Sequence, residues 1–178
     1  LKDGSCGSIG YGIATAYAKE GANLVITGRN KQKLADAKEE LERLYNIEVL
    51  PVQADVSAGA DNETVVRNVI DETIAKFGRI DVLINNAQAS ASGVAANEWG
   101  PDGINANIIC PLAWTAQLEN FQQAYPEAFE ANVKMPPAGH YGDVEKEIGR
   151  VCVQLASPDF KYMNGETLTL EGGMGLRP

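Results

Sequence analysis

The chain has 178 residues, of which 44% are apolar and 22% charged, ordinary proportions for a globular protein and unlike those of a disordered or fibrous one. That length holds one domain with a proper core and is short for two, so a single domain over 1–178 is expected. A net charge of −9 argues against a nucleic-acid or anionic-membrane surface, although a local basic spot could still hold a phosphate.

The first chemical statement in chain order is GSCGSIGYGIA, residues 4–14. It can be counted as G-x-x-G-x-x-G (Gly4, Gly7, Gly10) or as G-x-x-x-S-x-G (Gly4, Ser8, Gly10). Ile13, Ala14, Tyr17 and Ala18 then recur at helical spacing, and EGA at 20–22 supplies a glycine stop. NLVIT (23–27) reads as a short buried strand. KQKLADAKEELERLY (31–45) places Leu34, Ala37, Leu41 and Leu44 on one face of an amphipathic helix. EVLPVQADV (48–56) reads as a strand, and 62–78 as a second amphipathic helix with Val66, Val69, Ile70, Ile74 and Phe77 inward. IDVLINNA (80–87) and GINANIICP (103–111) read as strands, 145–157 as a helix and ETLTLEGG (166–173) as a last strand. Strands alternating with helices of this length predict an α/β fold: βαβ units forming a parallel sheet with helices on both faces, and ligands at the carboxyl ends of the strands.

Cys6, Cys110 and Cys152 are odd in number, form no C-x-x-C pair and fit no zinc spacing, so reduced thiols and no metal are expected. No apolar run approaches the ~20 residues that span a bilayer, and no signal-peptide pattern opens the chain, so a cytoplasmic protein is expected.

The glycine loop, ADV at 54–56, INNA at 84–87, CPLAWT at 110–115 and LTLEGG at 168–173, in that order and spacing, resemble the short-chain dehydrogenase/reductase family across nearly the whole chain. Each piece alone is weak; five in order, each at a strand end, are specific. The resemblance implies a Rossmann-like doubly wound sheet and a dinucleotide held by Gly4, Ser8, Ile9 and Gly10, where a glycine-rich turn lets backbone N–H groups meet a pyrophosphate at the positive end of a helix. Ser8 replaces the usual glycine, and its hydroxyl could donate to the pyrophosphate. Asp55 and Val56 match the family's adenine contacts, Asn86 and Ala87 its cofactor-lining N-N-A, with Gln88 departing from the usual glycine. Pro111 matches, Leu112 departs from glycine, and Thr115 stands one residue closer than the threonine that holds the nicotinamide carboxamide. After the second strand comes TGRN: Gly28 offers no carboxylate for a ribose hydroxyl and Arg29 offers a guanidinium for a 2′-phosphate, so NADP is expected, with NAD the alternative.

By the same resemblance the reaction interconverts a secondary alcohol and a ketone on a small-molecule substrate, in a homo-oligomer (dimer or tetramer). The family's proton-transfer set is a serine on one strand and Tyr-x-x-x-Lys on the next helix. None of Tyr11, Tyr17, Tyr45, Tyr125, Tyr141 or Tyr162 has a lysine four residues on, so no catalytic residue is assigned. Material is short in two places: only LKD precedes Gly4, where a strand should stand, and near 93–95 the text passes from one family context into another, omitting helix, strand and most of a helix. Both absent strands would lie mid-sheet, which leaves hydrogen-bonding edges bare. Breaks near 3/4 and 93–95 are therefore expected. The alternatives are a non-catalytic NADPH-binding sensor or partner subunit and, from SIGYGIA, an enoyl-acyl-carrier-protein reductase. The variable segment 116–142 would be either a lid over an apolar pocket or a core-facing or subunit-facing helix, and His140, the single histidine, is expected to be structural.

Overall fold

A computed structural model describes residues 8–55, 62–85 and 92–175, and of 92–94 the backbone only. The chain divides into two compact units, 17–87 and the remainder (1–16 with 88–178). Gly4, Val56, Asn86 and Ala87, with Cys6 and the Asp3–Gly4 junction, lie outside the described residues.

In the unit 17–87, strand β1 (Leu24–Gly28) pairs in parallel with β2 (Val49–Gln53), from Leu24 opposite Val49 to Gly28 opposite Gln53. Helix α2 (Lys31–Tyr45) crosses between them, on the boundaries its sequence predicts. Both ends have local causes: the Asn30 side chain accepts from the Lys33 amide at 3.0 Å, and Asn46 leaves the helix in the left-handed region at φ 52°. Leu34 and Leu41 are its buried residues. The Glu42 carboxylate accepts from Lys38 Nζ and from the Val49 amide (2.9 Å), and Lys38 Nζ also donates to the Val49 carbonyl (2.9 Å), which pins the end of the helix to the first residue of β2. The Lys38 hydrogen bond, then the Val49 amide, hold the Glu42 carboxyl below its ordinary pKa.

Helix α3 (Asn62–Phe77) forms as predicted, and Lys76 pairs with Glu48 ahead of β2. Its expected inward face is not covered, however. Val66, Ile70 and Ile74 are exposed, and Thr73 is the helix's buried residue. The strand expected over 80–87 is likewise absent through residue 85: the segment is irregular, with Ile80, Val82 and Ile84 exposed and Leu83 at 70%. A strand is defined by its neighbours. Without a partner on either side, an apolar run of strand composition has nothing to bond to and nothing to bury against.

In the other unit, β3 (Ile108–Pro111) and β4 (Thr167–Leu170) form a second parallel pair. The residues expected to begin β3 earlier are instead held by asparagines: Asn105 Nδ2 donates to the Lys161 and Met163 carbonyls, Asn107 Nδ2 to Met163, and Asn164 Oδ1 accepts from the Ala106 amide. Helix α4 (Ser92–Trp99) runs without interruption through 93–95, so one of the two expected breaks is an ordinary helix. Helices α5 (Ala116–Ala124) and α6 (Pro126–Asn132) follow β3. The helix expected over 145–157 comes in two parts, a π-helical turn at Val144–Gly149 and then α7 (Arg150–Leu155), entered from Asp143, whose carboxylate accepts from the Glu145 and Lys146 amides.

The core of this unit is Ala113, Val144 and Ile148, with Ile9, Ile109 and Leu170 packed on it. Helix α1 (Ile9–Lys19) reaches it by a close crossing: a Cβ at Gly12 would stand 2.5 Å from the Val144 carbonyl carbon and oxygen, and one at Gly149 2.8 Å from the Gly12 oxygen and the Ala16 Cβ. The parallel α/β reading of the sequence therefore holds, with the described strands arranged as two parallel pairs.

Candidate cofactor and substrate site

Within the unit 17–87, the expected cofactor residues stand side by side at one sheet edge. Arg29 follows the last residue of β1, and Ala54–Asp55 follow the last of β2, with the Ala54 amide donating to the Gly28 carbonyl at 3.0 Å. Gln53 Nε2 donates to the Arg29 carbonyl at 3.0 Å and holds the turn, while the Arg29 side chain is exposed and, among the described residues, meets no carboxylate. A guanidinium presented at the carboxyl end of a parallel strand with its donors unspent fits an anionic group.

The other unit carries the start of α1. Ser8 is its N-cap: the Ser8 hydroxyl oxygen accepts from the Tyr11 amide at 3.3 Å, and its carbonyl accepts from the Gly12 amide at 3.0 Å. Serine in place of glycine is thus accounted for locally. A capping hydroxyl still has its proton to donate, so the cap leaves the expected phosphate contact available. Gly10 lies half-buried in the first turn.

Ile9, Pro111, Leu112 and Thr115 come together on one cavity of about 490 Å³, completed by Ala113, Leu118, Asn132, Val133, Lys134, Tyr141 and Met174. Parallel pairing places them there. The Leu112 amide donates to the Leu170 carbonyl (2.9 Å), so β3 delivers Pro111 and Leu112 to the cavity just past its pairing with β4. The chain then turns: Gly142 donates to the Leu112 carbonyl (3.1 Å) and Trp114 to that of Gly142 (2.9 Å). Thr115 caps α5, accepting from the Leu118 amide at 3.3 Å. The variable segment supplies Leu118 and Val133 to the wall, and its aromatic residues pack together, with Trp114 at 6.1 Å from Phe129 and 6.0 Å from Tyr141, and Phe121 at 5.9 Å from Tyr125. The Tyr141 hydroxyl donates to the Lys134 carbonyl at 2.9 Å and fixes that wall.

His140 is exposed and bound to Glu147 (Nε2 at 2.9 Å from the carboxylate), away from the cavity lining. The Glu147 hydrogen bond, then the Ala138 carbonyl, raise its pKa above the ordinary histidine value. Glu147 is lowered, first by the Asp143 amide and then by His140. Cys152 is buried and its thiol pushed up to about 11 by desolvation. Among the described residues no cluster of His, Cys, Asp and Glu could hold a metal, and no helix is long and apolar enough to cross a membrane.

Sequence reasoning missed Gly12, Gly149 and the cavity residues Asn132, Lys134 and Met174. The loop's periodicity drew attention to Gly10, whereas the need at Gly12 comes from Val144, far along the chain.

Parallel strands joined through helices, a serine-capped helix start and an apolar cavity past the end of β3 define an α/β protein with a pocket of small-molecule size. Comparison with known proteins agrees: the short chain dehydrogenase family model matches residues 3–95, and that described as Enoyl-(Acyl carrier protein) reductase matches 87–175. A 12alpha-hydroxysteroid dehydrogenase of Clostridium sp. is 50% identical over 98% of this chain and 95% of its own length. The solved L-sorbose reductase of Gluconobacter frateurii, complexed with NADPH and L-sorbose, is similar in fold at a TM-score of 0.83 and 20% identity, covering 98% of this chain and 95% of the other. A short chain dehydrogenase from Bacillus anthracis is 28% identical with a TM-score of 0.67, over 96% and 93% of the two chains. The chain belongs to the short chain dehydrogenase family.

The clostridial alignment runs over 245 residues, whereas 98% of 178 is about 174, so about 70 positions of that relative have no counterpart here. The alignment covers nearly the whole of both chains, so these positions fall within it.

Proposed function

We propose that the protein is an NADP(H)-dependent oxidoreductase that interconverts a secondary alcohol and a ketone on an apolar substrate of hydroxysteroid size. The convergence of Ile9, Pro111, Leu112 and Thr115 on one mostly apolar cavity carries the reading. Ser8, Ile9 and Gly10 would bind the cofactor pyrophosphate at the start of α1, with Gly4 ahead of them; Arg29 would take the 2′-phosphate; Asp55 and Val56 would line the adenine, and Asn86 and Ala87 the nicotinamide ribose. When bound, the nicotinamide supplies or accepts the hydride. Pro111, Leu112 and Thr115 would hold its ring, and Leu118, Val133 and Met174 would give the substrate an apolar wall.

Proton transfer to the substrate oxygen needs a tyrosine and lysine that the six tyrosine contexts of this chain do not provide. In this reading they would belong to the about 70 positions of the clostridial relative that have no counterpart here. The 178-residue chain is therefore a cofactor-binding form of the enzyme, and this same observation favours the second reading, a non-catalytic NADPH-binding subunit, wherever the chain exists without that stretch. A dimer or tetramer in the cytoplasm remains the expected setting.

Two measurements test the proposal. In a binding titration NADPH should bind more tightly than NADH, and Arg29→Ala should lower NADPH affinity by about 10-fold or more while sparing NADH, the scale of a charge-assisted hydrogen bond. Inserting the relative's interior stretch between Val94 and Ala95 should create steroid dehydrogenase turnover absent from the 178-residue chain. Equal nucleotide affinities would overturn the NADP(H) preference, and failure of the insertion to give turnover would overturn the oxidoreductase reading, whereas turnover by the 178-residue chain would overturn the assignment of proton transfer to the interior stretch.

A further inference from the structure

His140 immediately precedes Tyr141 of the cavity wall, and both of its ring nitrogens face acceptors. Nδ1 lies 3.2 Å from the Ala138 carbonyl, and Nε2 lies 2.9 and 3.1 Å from the two Glu147 oxygens. Neither a carbonyl nor a carboxylate can donate, and a neutral imidazole has a single N–H, so only the imidazolium makes both bonds. Glu147 is aimed by the π-helical turn, because its carboxylate accepts from the Asp143 amide at 2.7 Å. The ring therefore ties the segment 133–142, which brings Val133, Lys134 and Tyr141 to the cavity, to the turn that packs Val144 and Ile148 into the core. Within the segment the Tyr141 hydroxyl donates to the Lys134 carbonyl, and the Ala138 amide donates to the Gly172 carbonyl at 2.9 Å, so a shift at 138–140 is felt along the wall. Among the described residues Glu147 is the charged group that meets the ring. Asp143 spends its carboxylate on the Glu145 and Lys146 amides, Glu171 of the turn after β4 lies against Gly175, and Lys134 and Tyr141 border the cavity.

We propose that His140 and Glu147 form a pH-dependent latch on the cavity wall: protonated His140 holds the segment 133–142 closed on the π-helical turn, and neutral His140 gives up one of its two bonds and lets the wall open more often. Two titrations bound the working range. The Glu147 hydrogen bond, first, raises His140, so the latch is engaged below the folded pKa of the imidazole and released as pH rises through it. The Asp143 amide, first, lowers Glu147, so the carboxylate lets go only as pH falls through that lowered value. Both side chains are about half exposed, which gives the latch the strength of a surface ion pair: enough to shift a local opening, too little to unfold the chain. That the latch controls entry of a substrate rests on the cavity being the substrate site, as proposed above.

Trp114 packs 6.0 Å from Tyr141 and reports on the wall without any need for turnover. In the full chain carrying Trp99→Phe, which leaves Trp114 as the emitting indole, quenching by neutral acrylamide is measured between about pH 5 and 8. The opening equilibrium read from quenching should increase about two- to fivefold as His140, followed by proton NMR as the single imidazole, loses its proton, and the increase should shrink at high salt. Glu147→Gln should remove the pH response, and His140→Arg, whose charge does not titrate in this range, should keep the wall closed throughout. Quenching independent of pH in the parent, or a response that survives Glu147→Gln, overturns the proposal. Titration with androstanedione, a neutral steroid ketone, in the presence of NADPH separates the two readings. Affinity that falls as His140 deprotonates supports the latch, and a ketone bound equally well across the range refutes it. A ketone that binds at no pH while Trp114 still responds refutes the substrate reading alone.

Discussion

Gly12→Ala tests how α1 is seated. Position 12 lies inside α1, where alanine is ordinarily worth about 1 kcal/mol more than glycine, so propensity alone predicts stabilisation. Packing predicts the reverse. The added carbon would stand 2.5 Å from the Val144 carbonyl carbon and oxygen and 2.7 Å from the Val144 Cβ, about 1 Å inside ordinary contact. Two of these atoms are backbone, at the start of the π-helical turn, and cannot rotate away; relief requires α1 and Val144–Gly149 to separate. Overpacking against backbone falls at the upper part of the usual range, about 2–3 kcal/mol, which leaves a net loss of about 1–2 kcal/mol after the propensity gain. For a chain of this size that is a fall in Tm of about 2–8 °C. Because Ser8 and Ile9 lead directly into α1, NADPH affinity should fall with it. Chemical denaturation and an NADPH titration on the same samples check both. An unchanged or raised Tm would mean that α1 does not approach Val144 as closely as the structure places it, and the account of the loop's seating would fall.

Ile148, 1% exposed in the core beneath the cavity, should cost about 2–5 kcal/mol on substitution by alanine, read from the denaturation midpoint. His140, the single histidine, should titrate above its ordinary value in proton NMR, and Glu147→Gln should bring it back down. The sign follows from the two shifts: the stabilisation carried by raised His140 is complete below its unfolded pKa and lost as pH rises through its folded one, whereas that carried by lowered Glu147 is lost as pH falls through its folded one. Stability from the pair should therefore be greatest in mildly acidic solution, and Glu147→Gln should flatten that part of a Tm-against-pH curve. Cys152, buried and with its thiol raised to about 11, should resist alkylation in the native protein and react on unfolding, as followed by mass spectrometry. Burying the uncovered apolar residues of α3 and 80–85 by restoring the interior stretch should sharply reduce binding of a hydrophobic dye.

What could be read from the sequence divides by the range of the forces involved. Helix α2 was legible to the residue because its causes are local: an Asn30 cap, a four-residue apolar rhythm and an Asn46 that tolerates positive φ. The placement of Arg29 and Asp55 past β1 and β2, and of Leu112 and Thr115 past β3, was legible because a parallel pair delivers whatever follows its strands to one end of that pair. Residues 80–85 have the composition of a buried strand and are not one. Composition supplies the capacity to pair, whereas the neighbour supplies the pairing, and among the described residues no strand pairs with 80–85. Gly12 was passed over for a related reason: a glycine that must be a glycine because of Val144 has no signature within its own few residues. The change of family context near 93–95 and the want of a Tyr-x-x-x-Lys were legible in the sequence, and helix α4 crosses that point smoothly, because one turn of helix joined to another satisfies every local rule.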